Sequence, residues 1–132
     1  MKNIFLIWLV FSLAGCAVGL MKTAAFISHN DQDKTAREIY SIAKECWAVD
    51  QTVLKAGTII ESQITLDGII VEARWAAALE YAKQPPFVQF LIIGKGESSE
   101  VEIHEKQYPY LFKDKYKADA YRWASGNYTC ST

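Results

Sequence analysis

Histidine is scarce: the 132 residues hold two. His29 stands beside Asp31 and Asp33, and His104 beside Glu102 and Glu105. A divalent metal needs three or four convergent ligands, so His29 with its acids reads as a polar helix cap and His104 as a solvated strand residue. No Gly-x-Ser-x-Gly elbow and no glycine-rich phosphate loop occurs, which leaves out two common signatures of a catalytic nucleophile and a nucleotide cradle. Glu100 and Glu102 share a strand face, but nothing in the sequence desolvates them. The expectation is a non-enzymatic protein with no catalytic residue, metal or cofactor. Excess positive charge is also missing. Lys and Arg number 14 against 15 Asp and Glu, which argues against nucleic acid as a partner because phosphate binding needs a basic surface. Low-complexity linkers and internal repeats are absent too.

What the chain does have is an apolar start. Lys2 supplies a positive charge, and Ile4 to Leu13 is apolar except for Ser12, the pattern of a signal-peptide core. Leu13-Ala14-Gly15-Cys16 closes it. This tetrapeptide resembles the lipobox of bacterial lipoproteins, whose pattern is Leu, a small residue, Gly or Ala, then Cys. All four positions match, and the resemblance covers residues 1–16 only. It implies that Cys16 Sγ carries a diacylglyceryl group, that the leader is cut before Cys16, and that the new α-amine is acylated. It also implies sorting to the outer membrane, at its periplasmic face, because Ala17 is not the Asp associated with inner-membrane retention. Several acyl chains anchor stably where one binds marginally. Two other readings of the segment stay open. One is an uncleaved spanning anchor over Ile4 to Met21, at the low end of spanning length. The other is ordinary cleavage near Ala14 to Ala17, with Cys16 incidental.

Removing fifteen residues from 132 leaves 117, enough for one domain with a core. The expected organisation is a signal peptide over 1–15, a lipidated tether over 16–28 and a single small periplasmic α+β domain over 29–132. The mature chain carries 13 basic and 15 acidic side chains once Lys2 is removed, so electrostatics give it no reason to bind anionic lipid. With Cys16 lipidated, Cys46 and Cys130 remain. An even pair in an exported protein reads as a disulfide; the alternative is two buried free thiols.

Periodicity then outlines the fold. A helix is expected from about Asp31 to Trp47, with Ser28, Asn30 and Asp31 as candidate N-caps. Ala36, Ile39, Tyr40, Ala43, Cys46 and Trp47 form one apolar stripe. Thr58 to Leu66 and Ile69 to Ala76 flank Asp67-Gly68, a strong two-residue hairpin turn. With those two residues as the loop, Leu66 faces Ile69, Ile64 faces Val71, Ser62 faces Ala73 and Ile60 faces Trp75, while Glu61 meets Arg74 and Gln63 meets Glu72. Residues 77–84 fit helix or strand, and Pro85-Pro86 ends them. Phe87 to Ile93 reads as a central strand. Glu100 to Glu105 alternates with Val101 and Ile103 inward, and its charges suggest an edge strand. A second helix is expected from Lys115 to Ser125, stopped by Gly126, with Tyr116, Ala120, Trp123 and Ala124 as its buried stripe. The sum is an α+β domain: N-terminal helix, four-stranded antiparallel meander, C-terminal helix and one disulfide.

The tail is aromatic. Tyr108, Tyr110, Phe112, Tyr116, Tyr121, Trp123 and Tyr128 fall within 21 residues. Tyr and Trp are common interface anchors, so Tyr108, Tyr110, Phe112, Trp123 and Tyr128 are the candidate binding surface; the alternative is that they pack the second helix. Lys113, Lys115, Lys117 and Arg122 form a local basic patch, and Asn127-Tyr128-Thr129 fits a glycosylation sequon by pattern. Ser125-Gly126-Asn127-Tyr128 resembles the Ser-Gly-x-x-Tyr loop of periplasmic lysozyme inhibitors, with the spacing one residue short; that family is an all-β barrel. The expected function is a membrane-anchored envelope lipoprotein with a binding or scaffolding domain for another envelope protein. The alternative is an inhibitor or immunity protein acting on a cell-wall hydrolase or toxin, whose basic surface would meet an acidic edge of Glu97, Glu100, Glu102 and Glu105.

Overall fold

The computed structural model describes residues 20–47, 58–75, 86–106 and 113–131. The leader with its lipobox, the ambiguous stretch 77–84 and residues 108–112 lie outside the described residues. The elements run β1 (Met21–Ser28), α1 (Gln32–Cys46), β2 (Thr58–Ile64), β3 (Ile69–Trp75), β4 (Val88–Lys95), β5 (Ser98–Glu105) and α2 (Lys113–Ala124). The fold is α+β, as expected, but the described domain begins with a strand rather than a helix. The sheet is antiparallel and has five strands, not four, in the order β1-β5-β4-β3-β2. Met21–Ser28, which falls in the stretch read as tether, supplies the extra strand by pairing with β5. That pairing also makes β5 internal, so its outward charges mark an open face of the sheet and not an edge.

Helix α1 starts where its cap predicts. The Asp31 carboxylate accepts from the Lys34 N–H at 2.8 Å, satisfying one of the orphan donors of the first turn. Thr35, Ala36, Ile39, Ile42 and Ala43 are buried, a stripe that adds Thr35 and Ile42 to the expected set. The turn between β1 and α1 is locked to β5 by hydroxyls. Thr35 Oγ1 lies 2.9 Å from Ser28 Oγ and 3.0 Å from Ser99 Oγ, and Ser99 Oγ donates to the Asn30 carbonyl at 2.9 Å.

The hairpin between β2 and β3 keeps a two-residue loop, but one residue earlier than expected. Leu66 and Asp67 form it, and Ile64 pairs with Ile69, Ser62 with Val71, Ile60 with Ala73 and Thr58 with Trp75. Gly68 explains the displacement: a Cβ there would sit 2.3 Å from the Ile92 carbonyl oxygen of β4, so the position just before β3 needs glycine for close approach. The Thr65 N–H and hydroxyl both donate to the Gly68 carbonyl at 2.8 Å and close the turn. Because the register moves by two, every side chain keeps its face. Glu61 now stands opposite Glu72. The repulsion is relieved on both sides, by an Arg74–Glu61 ion pair along the diagonal and by Gln89 Nε2 donating to Glu72 at 2.7 Å.

Both helices cover the same sheet face, that of Ile60, Val71, Phe90 and Ile103. The core joins Ile39, Ala43 and Trp47 of the α1 segment to Val71, Phe90, Ile92, Val101 and Ile103 of the sheet and to Tyr116, Ala120 and Trp123 of α2. The expected α2 stripe of Tyr116, Ala120, Trp123 and Ala124 is buried throughout, and Gly126 follows the helix at φ 97°. The Cys46–Cys130 disulfide, with Cα atoms 5.5 Å apart, fastens the end of α1 to the segment after α2.

Candidate interaction surface

The aromatic residues expected to form a binding surface divide. Trp123 is fully buried, so it does not belong to an exposed set. Its ring centroid lies 4.5 Å from that of Trp47, and Trp47 also contacts Phe87, Phe90 and Tyr116 at 5.9, 6.4 and 5.0 Å. The cluster is the joint between α1, α2 and the sheet. Tyr128 is half-buried beside the same core, and burial pushes its phenol pKa up. Tyr108, Tyr110 and Phe112 lie outside the described residues.

Beneath this joint sits a residue that the sequence reading passed over. Asp119 is 1% exposed; it accepts from Trp47 Nε1 at 2.9 Å and bonds to Arg122 and Ser131. It thereby ties α1, α2 and the C-terminal segment together. The signal was available, because Asp119 falls three residues after Tyr116 and four before Trp123 on the buried stripe. Arg122 and Lys117, read as half of a basic patch, are engaged: Arg122 with Asp119 and Ser131, Lys117 with Glu105 at 4.0 Å and over the Tyr121 ring.

The acidic set separates too. Glu105 is buried on the helix side, whereas Glu100 and Glu102 face the open side. No described helix covers that other side, which is the candidate surface. One row of paired residues crosses all five strands as Lys22, His104, Gln89, Glu72 and Glu61. Above it lie Leu91 and Ile70, then Ile27 and Ile93, all incompletely buried. Four carboxylates (Glu61, Glu72, Glu100, Glu102) share this face with two cations, Lys22 in the first row and Arg74 opposite Ile59. Lys95 and Glu97, at the tip of the β4–β5 hairpin, offset each other. Lys22 Nζ reaches Glu102 Oε1 at 2.7 Å, and His104 Nε2 approaches Glu102 Oε2 at 3.5 Å. No group of three or more metal-ligating side chains occurs among the described residues.

The hydrogen bond from Lys22 is the main reason that the Glu102 carboxyl titrates below its ordinary range, against a smaller opposing effect of burial. A folded-state pKa below the unfolded one contributes stability above the ordinary carboxylate pKa, and this is lost as pH falls through the folded value. Replacing Lys22 by Met is therefore expected to move Glu102 back up toward the ordinary value. Side-chain carboxyl NMR reads this directly, and an unmoved titration would disprove the pairing.

No family model, curated protein or solved structure matches the chain.

Proposed function

We propose that this chain is a lipid-anchored envelope protein, tethered at the periplasmic face of the outer membrane through acylated Cys16, whose domain binds or scaffolds an envelope protein without catalysis. The observation that carries the proposal is the uninterrupted Leu13-Ala14-Gly15-Cys16 motif directly after an apolar leader. The Cys46–Cys130 pair supports it, since disulfides persist in oxidising, exported compartments. Among the described residues no helix is long and apolar enough to cross a membrane, and β1 already begins at Met21. Function then follows from confinement: acyl chains hold the domain at a surface and raise its effective concentration for a neighbour. The test is the intact mass of protein purified from bacterial membranes without reductant, beside Cys16→Ser. The expected mass is that of residues 16–132 plus acyl chains minus two hydrogens. Cys16→Ser is expected to be unlipidated. An unmodified full-length mass overturns the proposal.

A second reading, an inhibitor or immunity protein for a basic cell-wall hydrolase or toxin, is favoured by the excess of carboxylates on the open sheet face. Glu72 and Glu100 have no cation paired to them in the described set. Under this reading a purified basic hydrolase is inhibited, and Glu72→Gln with Glu100→Gln relieves the inhibition.

A further inference from the structure

Among the described residues the sheet has two edges, β1 and β2, and they are built differently. β1 carries a register shift between Lys22 and Ala24, and Lys22 itself; bulges and lysines are ordinary means of blunting an edge against further pairing. β2 has neither. Its pairing with β3 is continuous from Thr58 to Ile64, it contains no Lys or Pro, and its one charge, Glu61, is neutralised by Arg74. Beside it the helix cover stops short. Ile60 is 8% exposed on the helix side, while Ile64 on the same side is 88% exposed and Leu66 fully so. Ile59, on the other face, is 41% exposed.

The bonding phase of β2 is fixed by its turn. The Thr65 N–H bonds the Gly68 carbonyl, so Thr65, Gln63, Glu61 and Ile59 bond inward to β3. Residues 58, 60, 62 and 64 therefore direct their N–H and C=O groups outward. An antiparallel partner must present the same phase. A second copy of β2 does so about a two-fold axis through Ser62. In that register Ser62 meets its own copy, Ile60 meets the second copy's Ile64 and Glu61 meets its Gln63. Apolar side chains meet on the helix side, a carboxylate meets an amide donor on the other, and no two like charges are opposed.

We infer that β2 is a self-association edge, and that two copies of this chain pair antiparallel through it into one continuous ten-stranded sheet. The contact is isologous and closes at two copies because β1, the far edge of each, is blunted. It covers Ile64. It goes beyond the anchoring proposal and does not rest on it, since the complementarity lies wholly within residues 60–64.

Ser62 supplies the test. Directly opposed residues that exchange both hydrogen bonds have Cα atoms about 5.5 Å apart, within the span of a disulfide. Full-length Ser62→Cys, in membranes or detergent, is expected to give a dimer under mild oxidation that reductant reverses, while Lys22→Cys on the blunted edge stays monomeric. Adding Ile64→Lys to Ser62→Cys is expected to lower the cross-linked yield on the order of tenfold, or about 1.4 kcal/mol of association. Peptide mapping confirms that Cys46–Cys130 is intact, and circular dichroism confirms the fold. A folded Ser62→Cys protein that remains monomeric overturns the inference. So does equal cross-linking from Lys22→Cys, or a yield unchanged by Ile64→Lys. Peptide mapping assigns the cross-link to position 62 and not to Cys16, so its failure leaves the mass measurement on Cys16 standing, and the reverse also holds.

Discussion

Trp47→Ala is expected to be the most destabilising single substitution among the described residues. Trp47 is completely buried and touches Phe87, Phe90, Tyr116 and Trp123. Truncating a buried Trp costs about 3–5 kcal/mol through lost transfer energy and the cavity left behind. A second loss adds to it. Trp47 Nε1 is a donor to Asp119, a carboxylate that is 1% exposed, and taking a donor from a buried acceptor costs about 1–3 kcal/mol. A domain of this size has roughly 5–15 kcal/mol in total, so Trp47→Ala leaves the folded state marginal. Trp47→Phe separates the two causes: it keeps most of the ring volume but not the N–H. Its expected cost is the smaller figure plus a residual packing defect. Urea unfolding of the three proteins, with midpoints compared at equal slope, decides the matter. A Trp47→Phe midpoint equal to that of the parent would show that the Asp119 bond contributes nothing.

Opening the Cys46–Cys130 bridge is expected to cost nearly as much. The cysteines are 84 residues apart, so the bond closes most of the domain. In the chain-entropy account such a loop is worth about 4–5 kcal/mol, because the cross-link removes conformations from the unfolded chain. The double substitution Cys46→Ala with Cys130→Ala should therefore shift the urea midpoint strongly down. The segment it releases is also held by Trp123 Nε1 donating to the Thr129 carbonyl at 2.8 Å and by Arg122 donating to Ser131 Oγ at 2.9 Å. Those bonds are in the folded state only and are not strong enough to replace the constraint. A midpoint shift smaller than that of Trp47→Ala by a factor of several would mean that the unfolded chain is already compact around the same contacts.

Much of this architecture is readable from local pattern. Helix α1 declares itself by its Asp31 cap and its stripe, α2 by Tyr116, Ala120 and Trp123, and the faces of the β2–β3 hairpin by alternation. Cys46 and Cys130 are paired by parity once Cys16 is assigned elsewhere. What escaped is non-local. β1 reads MKTAAFIS, with two alanines breaking its alternation and an apolar leader before it; it becomes a strand because β5 bonds to it from across the chain. Missing β1 then turned β5 into an apparent edge. The turn moved because Gly68 answers to the Ile92 carbonyl on β4, a contact that no reading of residues 58–76 alone can contain. Of the candidate binding residues, Trp123 follows the other expectation, burial on the α2 stripe, because an aromatic-rich stretch looks the same whether it grips a partner or fills a joint between helices. The all-β lysozyme-inhibitor likeness at Ser125–Tyr128 fails for a plainer reason, since two helices cover this sheet.

The strand order has a temporal consequence. β2 to β5 form by successive hairpins between neighbours in sequence, whereas β1 pairs only with β5, and Met21 bonds opposite Glu105. A chain that emerges amino terminus first presents β1 before any partner exists for it. Loop closure over that distance is slow relative to hairpin formation, so β1 is the last strand to be seated. Until then β5 has an open side, and Ser28 of β1 has not joined Thr35 and Ser99 in the hydroxyl cluster at the start of α1. Pairing of the amino-terminal strand thus awaits the completion of residues 98–105.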